Sequence, residues 1–120
     1  MSEKILDYKE LTELVVTALE DLKGSNIQIL DVGNKTTITE RFVIATGGSN
    51  RQIRALASEV SQKAKEAGVR PLGEEGEGES GWVLVDLGDV VVHVMLQETR
   101  DFYNLEKLWG ESSPSATVAN

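Results

Sequence analysis

The stretch GWVLVDLGDVVVHVML, residues 81–96, decides the fold of this chain. At its centre Gly88-Asp89 forms a two-residue turn signal between two runs rich in β-branched residues, which predicts a β-hairpin. Pairing Leu87 with Val90 then sets the register. Because side chains alternate across a strand, one face carries only aliphatic residues and must belong to the core. The residues of that face are Val83, Val85, Leu87, Val90, Val92, Val94 and Leu96.

The second face of the predicted hairpin is chemically mixed. His93, the single histidine of the chain, lies opposite Leu84 and diagonal to Trp82 and Asp86, within reach of long side chains. This face could form a catalytic site, a docking surface or a second core layer. We expect Trp82 and His93 to be exposed or partly exposed. The residues of the face are Trp82, Leu84, Asp86, Val91, His93 and Met95.

The rest of the chain predicts three helices and three further strands. Apolar residues at helical spacing, with Asp7 and Glu10 as a capping box, predict the first helix, and Ser49 with Gln52 predicts a second cap. The first two strands are joined by a short link and should pair antiparallel, the second of them in a central position. The predicted helices span 7–23, about 50–67 and 99–109, and the predicted strands span 27–32, 41–47 and 69–73.

A short segment and a tail interrupt this pattern. Residues 74–80, EEGEGES, are too polar to pack and predict a mobile loop. Residues 111–120 predict a disordered tail. The folded domain is therefore expected over residues 1–110. In the last helix, four apolar side chains are expected near one side: Phe102, Leu105, Leu108 and Trp109.

Composition narrows the function classes. The chain of 120 residues has no cysteine, which excludes a disulfide scaffold, a thiolate zinc site and a cysteine nucleophile. Its net charge of −8 disfavours DNA or RNA as the main partner and suits a basic protein partner, although acidity can also serve solubility alone. The N-terminus lacks an apolar signal core and no apolar run reaches about 20 residues, so we expect a cytoplasmic protein without membrane association.

Three chemical sites are conceivable from the sequence, and each matches its pattern weakly. The Gly47-Gly48-Ser49 turn could hold a phosphate at a helix start, yet a strand-to-helix turn with a capping serine explains it without a ligand. Asp86, Asp89 and His93 match a metal site weakly, because Asp89 lies at the turn tip. A serine hydrolase would have to pair Ser49 with His93 without a nucleophile elbow, and this reading is rejected.

The remaining function class is recognition of a protein partner. Large adaptable side chains that favour interfaces are present at Trp82, Met95, Tyr103 and Trp109, with Asp86, Glu106 and the acidic loop 74–80 supplying negative charge. The alternative for Trp82 and Trp109 is packing under the last helix as a second small core.

Three segments together closely resemble the ribosomal silencing factor family, also called RsfS, YbeB or Iojap, over about residues 5–110. These segments are RFVIATGGSNRQ, GWVLVDLGDVVVHVM and RDFYNLEKLW. The resemblance implies an α+β fold: a single compact domain with a mixed sheet of about five strands flanked by helices, related to nucleotidyltransferases. The paired catalytic carboxylates of that superfamily do not occur in register here, so the resemblance implies no enzyme, cofactor or metal.

The resemblance also implies a function and a partner. Family members bind the large ribosomal subunit through its ribosomal protein number fourteen, block joining of the small subunit, and so repress translation when nutrients are scarce. The alternatives are a nucleotide-binding or nucleotidyl-transferring enzyme and a self-associating protein that forms a homodimer when unbound. Arg51, Gln52 and Arg100 are expected to brace the fold. The partner-binding residues inferred from the hairpin and last helix are Trp82, Asp86, Asp89, His93, Tyr103, Glu106 and Trp109.

Overall fold

The computed structural model describes residues 6–76 and 80–110, and it confirms the hairpin with its register. Trp82 pairs with Met95 and Leu84 with His93, and the Leu87 amide donates to the Val90 carbonyl at 2.9 Å. The aliphatic face is buried, apart from the partly buried Leu96 at its end, as the alternation of side chains predicted.

The described residues form four helices and five strands, close to the predicted set. The helices are α1 (Tyr8–Asp21), α2 (Asn50–Glu66), α3 (Gln97–Tyr103) and α4 (Leu105–Gly110). The strands are β1 (Ser25–Asp31), β2 (Arg41–Gly47), β3 (Gly73–Glu75), β4 (Trp82–Asp86) and β5 (Val90–Leu96).

The strands make one mixed sheet in the order β1-β2-β5-β4-β3. β1 pairs antiparallel with β2, as predicted, and β2 lies between β1 and β5. β2 and β5 run parallel, and the chain between them contributes α2, β3 and β4. The architecture is thus the α+β fold with a five-stranded sheet that the resemblance implied.

The main core lies between one face of the sheet and the two long helices. α1 begins with a complete capping box, in which the Asp7 carboxylate accepts from the Glu10 amide at 2.8 Å and the Glu10 side chain accepts from the Asp7 amide. Both helices bury one apolar stripe against the aliphatic hairpin face. This leaves the mixed face of the hairpin on the opposite side of the sheet.

A second, smaller core covers part of that opposite face. Its buried members are Leu30, Val32, Ile44 and Met95, and partly buried around them are Phe42, Trp82, Leu105 and Trp109. The second face therefore serves partly as a second core layer, one of the three alternatives left open by the sequence.

The C-terminal helix differs from its prediction. Instead of one helix over 99–109, the chain forms α3 and α4, separated by Asn104 in the left-handed conformation (φ 50°, ψ 58°). The break turns Phe102 and Leu108 outward, where they are 79% and 69% exposed, while Leu105 and Trp109 pack inward. The expectation that all four side chains share one side was wrong, since it assumed an unbroken helical phase.

The predicted edge strand is displaced along the chain. Residues 69–73 were expected to form it, but the edge strand is β3, which includes Glu74 and Glu75. These two residues belong to the segment predicted as a mobile loop, and that part of the prediction was wrong. They pair with Val85 and Leu84 of β4, and Glu74 also accepts from the buried Ser61 hydroxyl of α2. Residues 77–79 and the predicted tail, 111–120, lie outside the described residues.

Candidate functional site

An aromatic pair marks the part of the second face that the helices do not cover. Trp82 projects from β4, and Tyr103 approaches it from the end of α3 with ring centroids 4.9 Å apart and an interplanar angle of 50°. Trp82 is half-buried, whereas Tyr103 is 49% exposed. The pair borders a shallow depression of about 420 Å³, which we call the aromatic depression. Its lining residues are Glu75, Gly76, Ser80, Trp82, Leu84 and Tyr103.

The backbone that carries Trp82 is held on several sides. Gly81 adopts a left-handed conformation (φ +77°), its amide donates to the Asn50 side chain of α2 at 3.0 Å, and its carbonyl accepts from the Leu96 amide. The Ser80 hydroxyl donates to the Trp82 carbonyl at 2.9 Å. Gly76 passes so close that a Cβ there would lie 2.0 Å from this carbonyl oxygen. The indole therefore projects from a well-defined position on the sheet.

The indole of Trp82 is hydrogen-bonded to His93. Its Nε1–H donates to Nδ1 of His93 at 3.1 Å. His93 is only 4% exposed, so the expectation that this side chain reaches the surface was wrong. It sits on β5, a strand paired on both sides, and its burial lowers its pKa from 6.5 to about 4 by desolvation of the charged form. His93 is thus neutral near pH 7, and its ring lies against those of Trp82 and Phe42.

Aromatic contacts continue from His93 to the last helix. Phe42 of β2 contacts the His93 ring edge-to-face at 4.8 Å and the Trp109 ring of α4 at 5.1 Å. The Trp109 carbonyl also accepts from the Lys35 ammonium group at 2.5 Å. Trp109 therefore packs into the second small core, which was the structural alternative for this residue.

An ion pair between a buried arginine and a partly exposed glutamate joins α3 to α4. Arg100, 4% exposed, donates from Nη2 and Nε to one Glu106 carboxylate oxygen at 2.8 and 3.2 Å and from Nη1 to the Thr46 hydroxyl at 2.7 Å. Glu106, predicted as a partner contact, is 34% exposed and forms an ion pair with Arg100. Arg100 braces the fold, as expected.

The two aspartates of the hairpin have different surroundings. The Asp86 carboxylate is half-buried and accepts from the Gly88 amide at 2.9 Å, which stabilises the turn. Asp89 is exposed, and its carbonyl accepts from the amides of Glu40 and Arg41. Neither carboxylate forms a described bond with His93.

The comparisons with known proteins agree with this architecture. A sequence model of the family described as "Ribosomal silencing factor during starvation" matches residues 6–120. A protein of Chromobacterium violaceum named ribosomal silencing factor RsfS is 50% identical over 113 residues, which cover 94% of this chain and 93% of that protein. The chain belongs to the ribosomal silencing factor family.

Two further relatives extend the comparison. A crystal structure of a protein from Chromobacterium violaceum superposes with a TM-score of 0.84 at 51% identity, covering 87% of both chains. A mouse protein named "Mitochondrial assembly of ribosomal large subunit protein 1" is 33% identical over 100 residues, which cover 81% of this chain and 44% of that protein. The family names denote regulation of the ribosome rather than a chemical reaction.

The glycine turn of this family member is explained by packing. A Cβ on Gly47 would lie 2.7 Å from Cγ2 of Ile53, so the close approach of α2 to β2 requires glycine. The Gln52 amide donates to the Ser49 hydroxyl, while the Gln52 side chain accepts from the Gly48 amide and donates to the Leu22 carbonyl. Gln52 thus braces α1 against the turn, as expected. Of the predicted capping box, the bond from the Gln52 amide to Ser49 is present, whereas the Gln52 side chain accepts from the Gly48 amide.

The described chain contains neither a metal-binding cluster nor a membrane-spanning helix. Within residues 6–76 and 80–110, no three histidine, cysteine, aspartate or glutamate side chains converge on a common point suited to a metal ion. Across the same residues no helix has the length and apolarity needed to cross a bilayer.

Of the predicted partner-binding residues, the structure brings Trp82 and Tyr103 together at the surface and places His93 behind them. Asp86, Asp89, Glu106 and Trp109 lie elsewhere on the hairpin and last helix. Leu84 and Glu75 also line the aromatic depression; the sequence placed Leu84 on the mixed face and Glu75 in the acidic segment 74–80 without singling out either as a partner-binding residue. It also assigned the exposed Phe102 to a packed side. Alternation along β4 placed Leu84 on the face of Trp82 and was the available signal.

Proposed function

We propose that this protein represses translation by docking, through the aromatic depression, on the large ribosomal subunit at its ribosomal protein number fourteen, and by occupying space that the small subunit needs. It acts in the cytoplasm under nutrient limitation. The proposal requires no catalysis and no cofactor. The observation that carries it is the partly exposed Trp82–Tyr103 pair beside the part of this sheet face that the second core covers.

The chemistry of the surface suits a ribosomal protein. Phe102 contacts Tyr103 edge-to-face at 4.9 Å and extends the apolar area from the depression onto α3. Exposed aromatic groups of this kind are common among residues that dominate binding energy. Glu75 in the depression and exposed Asp101 on α3 add negative charge, which complements a basic surface and speeds encounter.

The names of the relatives support the choice of the large subunit. The mouse relative is named for assembly of that particle, and the bacterial relative is named for silencing of the ribosome. A domain that docks on the joining face of the large subunit blocks association sterically. No change in the ribosome is then required.

Co-sedimentation with purified large subunits tests the docking surface. Trp82→Ala is expected to weaken binding about 30-fold, equivalent to about 2 kcal/mol, because it removes the central apolar anchor. Tyr8→Ala is the matched control, since Tyr8 is also a half-buried aromatic residue but packs on the α1 side of the sheet. Equal binding by both variants, with intact folding by circular dichroism, would remove Trp82 from the interface.

Subunit joining provides the functional readout. Adding the wild-type protein to separated subunits should reduce the peak of joined ribosomes, and Trp82→Ala should restore it. Two free copies could also pair through the same apolar area. Sedimentation velocity without ribosomes therefore tests whether the free protein is a dimer. Dimers that dissociate on adding large subunits would place both contacts on one surface.

The nucleotide-binding alternative makes a different prediction. Titration with ATP and magnesium should leave the amide resonances of residues 47–49 unchanged. The Gly48 amide already donates to the Gln52 side chain, and side chains of α2 fill the space beside Gly47. Shifts confined to this turn and to Asp86 would instead favour the enzyme.

A further inference from the structure

The hydrogen bond between Trp82 and His93 fixes the protonation of the imidazole. An indole N–H can only donate, so His93 Nδ1 must be the unprotonated acceptor and the neutral ring carries its hydrogen on Nε2. Burial keeps the ring neutral near pH 7. Nδ1 is therefore continuously available to hold the indole.

The other ring nitrogen of His93, Nε2, lacks a hydrogen-bond partner among the described residues. Within the part of the chain that the structure describes, no group accepts a hydrogen bond from Nε2, although the atom is fully buried. A buried donor without a partner costs free energy. The neighbours of His93 are apolar, with Ile44 and Phe42 on β2, so an aliphatic residue would suit this position better for packing alone.

The position of His93 excludes direct contact with a docked protein. The ring lies under the indole, with ring centroids 5.8 Å apart, and Leu84 of β4 pairs with His93 across the hairpin. Any influence on a partner must pass through a neighbouring side chain, and Trp82 is the one hydrogen-bonded to His93. The hydrogen bond is the polar contact between them, and it restricts the indole to one orientation beside Tyr103.

We propose that His93 is a positioning residue, whose Nδ1 holds the Trp82 indole in the orientation that docks on the ribosomal protein. The inference rests on the proposed function and adds an explanation of how Trp82, the apolar anchor, is oriented before docking. Ordering the indole before binding removes part of the entropy cost of association, because the side chain need not be immobilised by the partner. His93 thus contributes to affinity while remaining unfavourable for local packing.

Two variants of similar shape separate the acceptor role of His93 from its local packing. His93→Asn can place its amide oxygen near the position of Nδ1 and keep an acceptor for the indole. His93→Leu has the same branching without any acceptor. We expect the asparagine variant to bind large subunits within about twofold of wild type and the leucine variant to bind roughly fivefold more weakly.

Stability should follow the opposite order. Leucine removes the unpaired buried donor and suits the apolar neighbours, so His93→Leu is expected to unfold at a higher urea concentration than His93→Asn, which buries an amide. A purely structural role for His93 predicts that the more stable variant also docks better. Inverted orders of stability and affinity support positioning, and parallel orders overturn it.

The indole resonance reports the hydrogen bond directly. The chain has two tryptophans, so Trp109 serves as an internal reference and Trp82→Phe assigns the Trp82 Nε1–H signal in ¹⁵N spectra. The signal should resemble wild type in His93→Asn and exchange faster with solvent in His93→Leu. Unchanged exchange in both variants would overturn the proposal.

Trp82→Ala separates a failure of the docking surface from a failure of positioning by His93. If this variant binds large subunits normally, the docking surface is wrong and the role of His93 falls with it. If Trp82→Ala binds weakly while His93→Leu binds as wild type, the docking surface stands and the positioning role alone is refuted.

Discussion

Arg100 of α3 lies 2.8 Å from the carboxylate of Glu106 in α4, and this ion pair bridges the break between the two helices. The same guanidinium contacts Thr46 on β2, so one side chain ties both helices to the sheet. Tyr103 lies between the paired residues in sequence and contacts Trp82. The ion pair therefore stabilises the part of the chain that borders the aromatic depression.

Removing the acid from this pair should destabilise the protein. Glu106→Gln leaves the buried Arg100 without its counter-charge, and we expect a loss of about 2 kcal/mol in the free energy of unfolding, measured by urea denaturation. Replacing both residues, with Arg100→Met added, should cost less than the sum of the single changes because no unpaired charge stays buried. Additive losses would show that the two side chains do not interact.

Acid should destabilise the fold through His93. Its pKa is about 4 in the folded protein and 6.5 as the ordinary value, so between these limits the unfolded chain binds a proton that the folded chain does not. The stability associated with the neutral ring is complete above pH 6.5 and is lost as pH falls toward 4. From about pH 7 to about pH 5 the loss should be about 2 kcal/mol.

His93→Leu isolates that contribution, since its carboxylates titrate as in wild type. The measurement is urea unfolding of both proteins at the two pH values. The leucine variant should lose about 2 kcal/mol less than wild type on acidification. Identical pH profiles would mean that His93 is not held neutral in the folded state.

The two adjacent glycines of the 47–49 turn should respond differently to a methyl group. Gly47→Ala places Cβ 2.7 Å from Ile53 Cγ2 and 3.3 Å from Leu56 Cδ1, so a loss of about 2 kcal/mol is expected from overpacking. Gly48→Ala is the control, because its nearest contact is the flexible end of Gln52 at 3.4 Å. Thermal unfolding compares them. Equal effects would contradict the packing explanation of Gly47.

Phe102 should affect docking without affecting the fold. Its side chain is 79% exposed, so Phe102→Ala should change the free energy of unfolding by less than about 0.5 kcal/mol. Binding to large subunits should nevertheless weaken severalfold, since the ring extends the apolar area beside Tyr103. Ile29→Ala truncates a 45% exposed side chain on the other face of the sheet and should leave binding unchanged. If Phe102→Ala and Ile29→Ala bind alike, α3 lies outside the interface.

Local patterns determined much of this protein. Alternation of side chains around Gly88-Asp89 predicted the hairpin register and its buried face, and capping residues placed the starts of α1 and α2 within a residue. These features depend on neighbours in sequence, which a pattern records directly. The sequence also carried the family resemblance, because its motifs are contiguous.

Only the tertiary structure decided how the second hairpin face is used. Alternation places Trp82, His93 and Met95 on one face but contains no information on which distant segment covers each of them. The left-handed Asn104 redirects α4 so that Trp109 packs toward Met95 and His93 is sealed, while Trp82 stays half-exposed beside Tyr103. Burial depends on contacts between residues far apart in the chain, and for that reason it could not be derived from the hairpin alone.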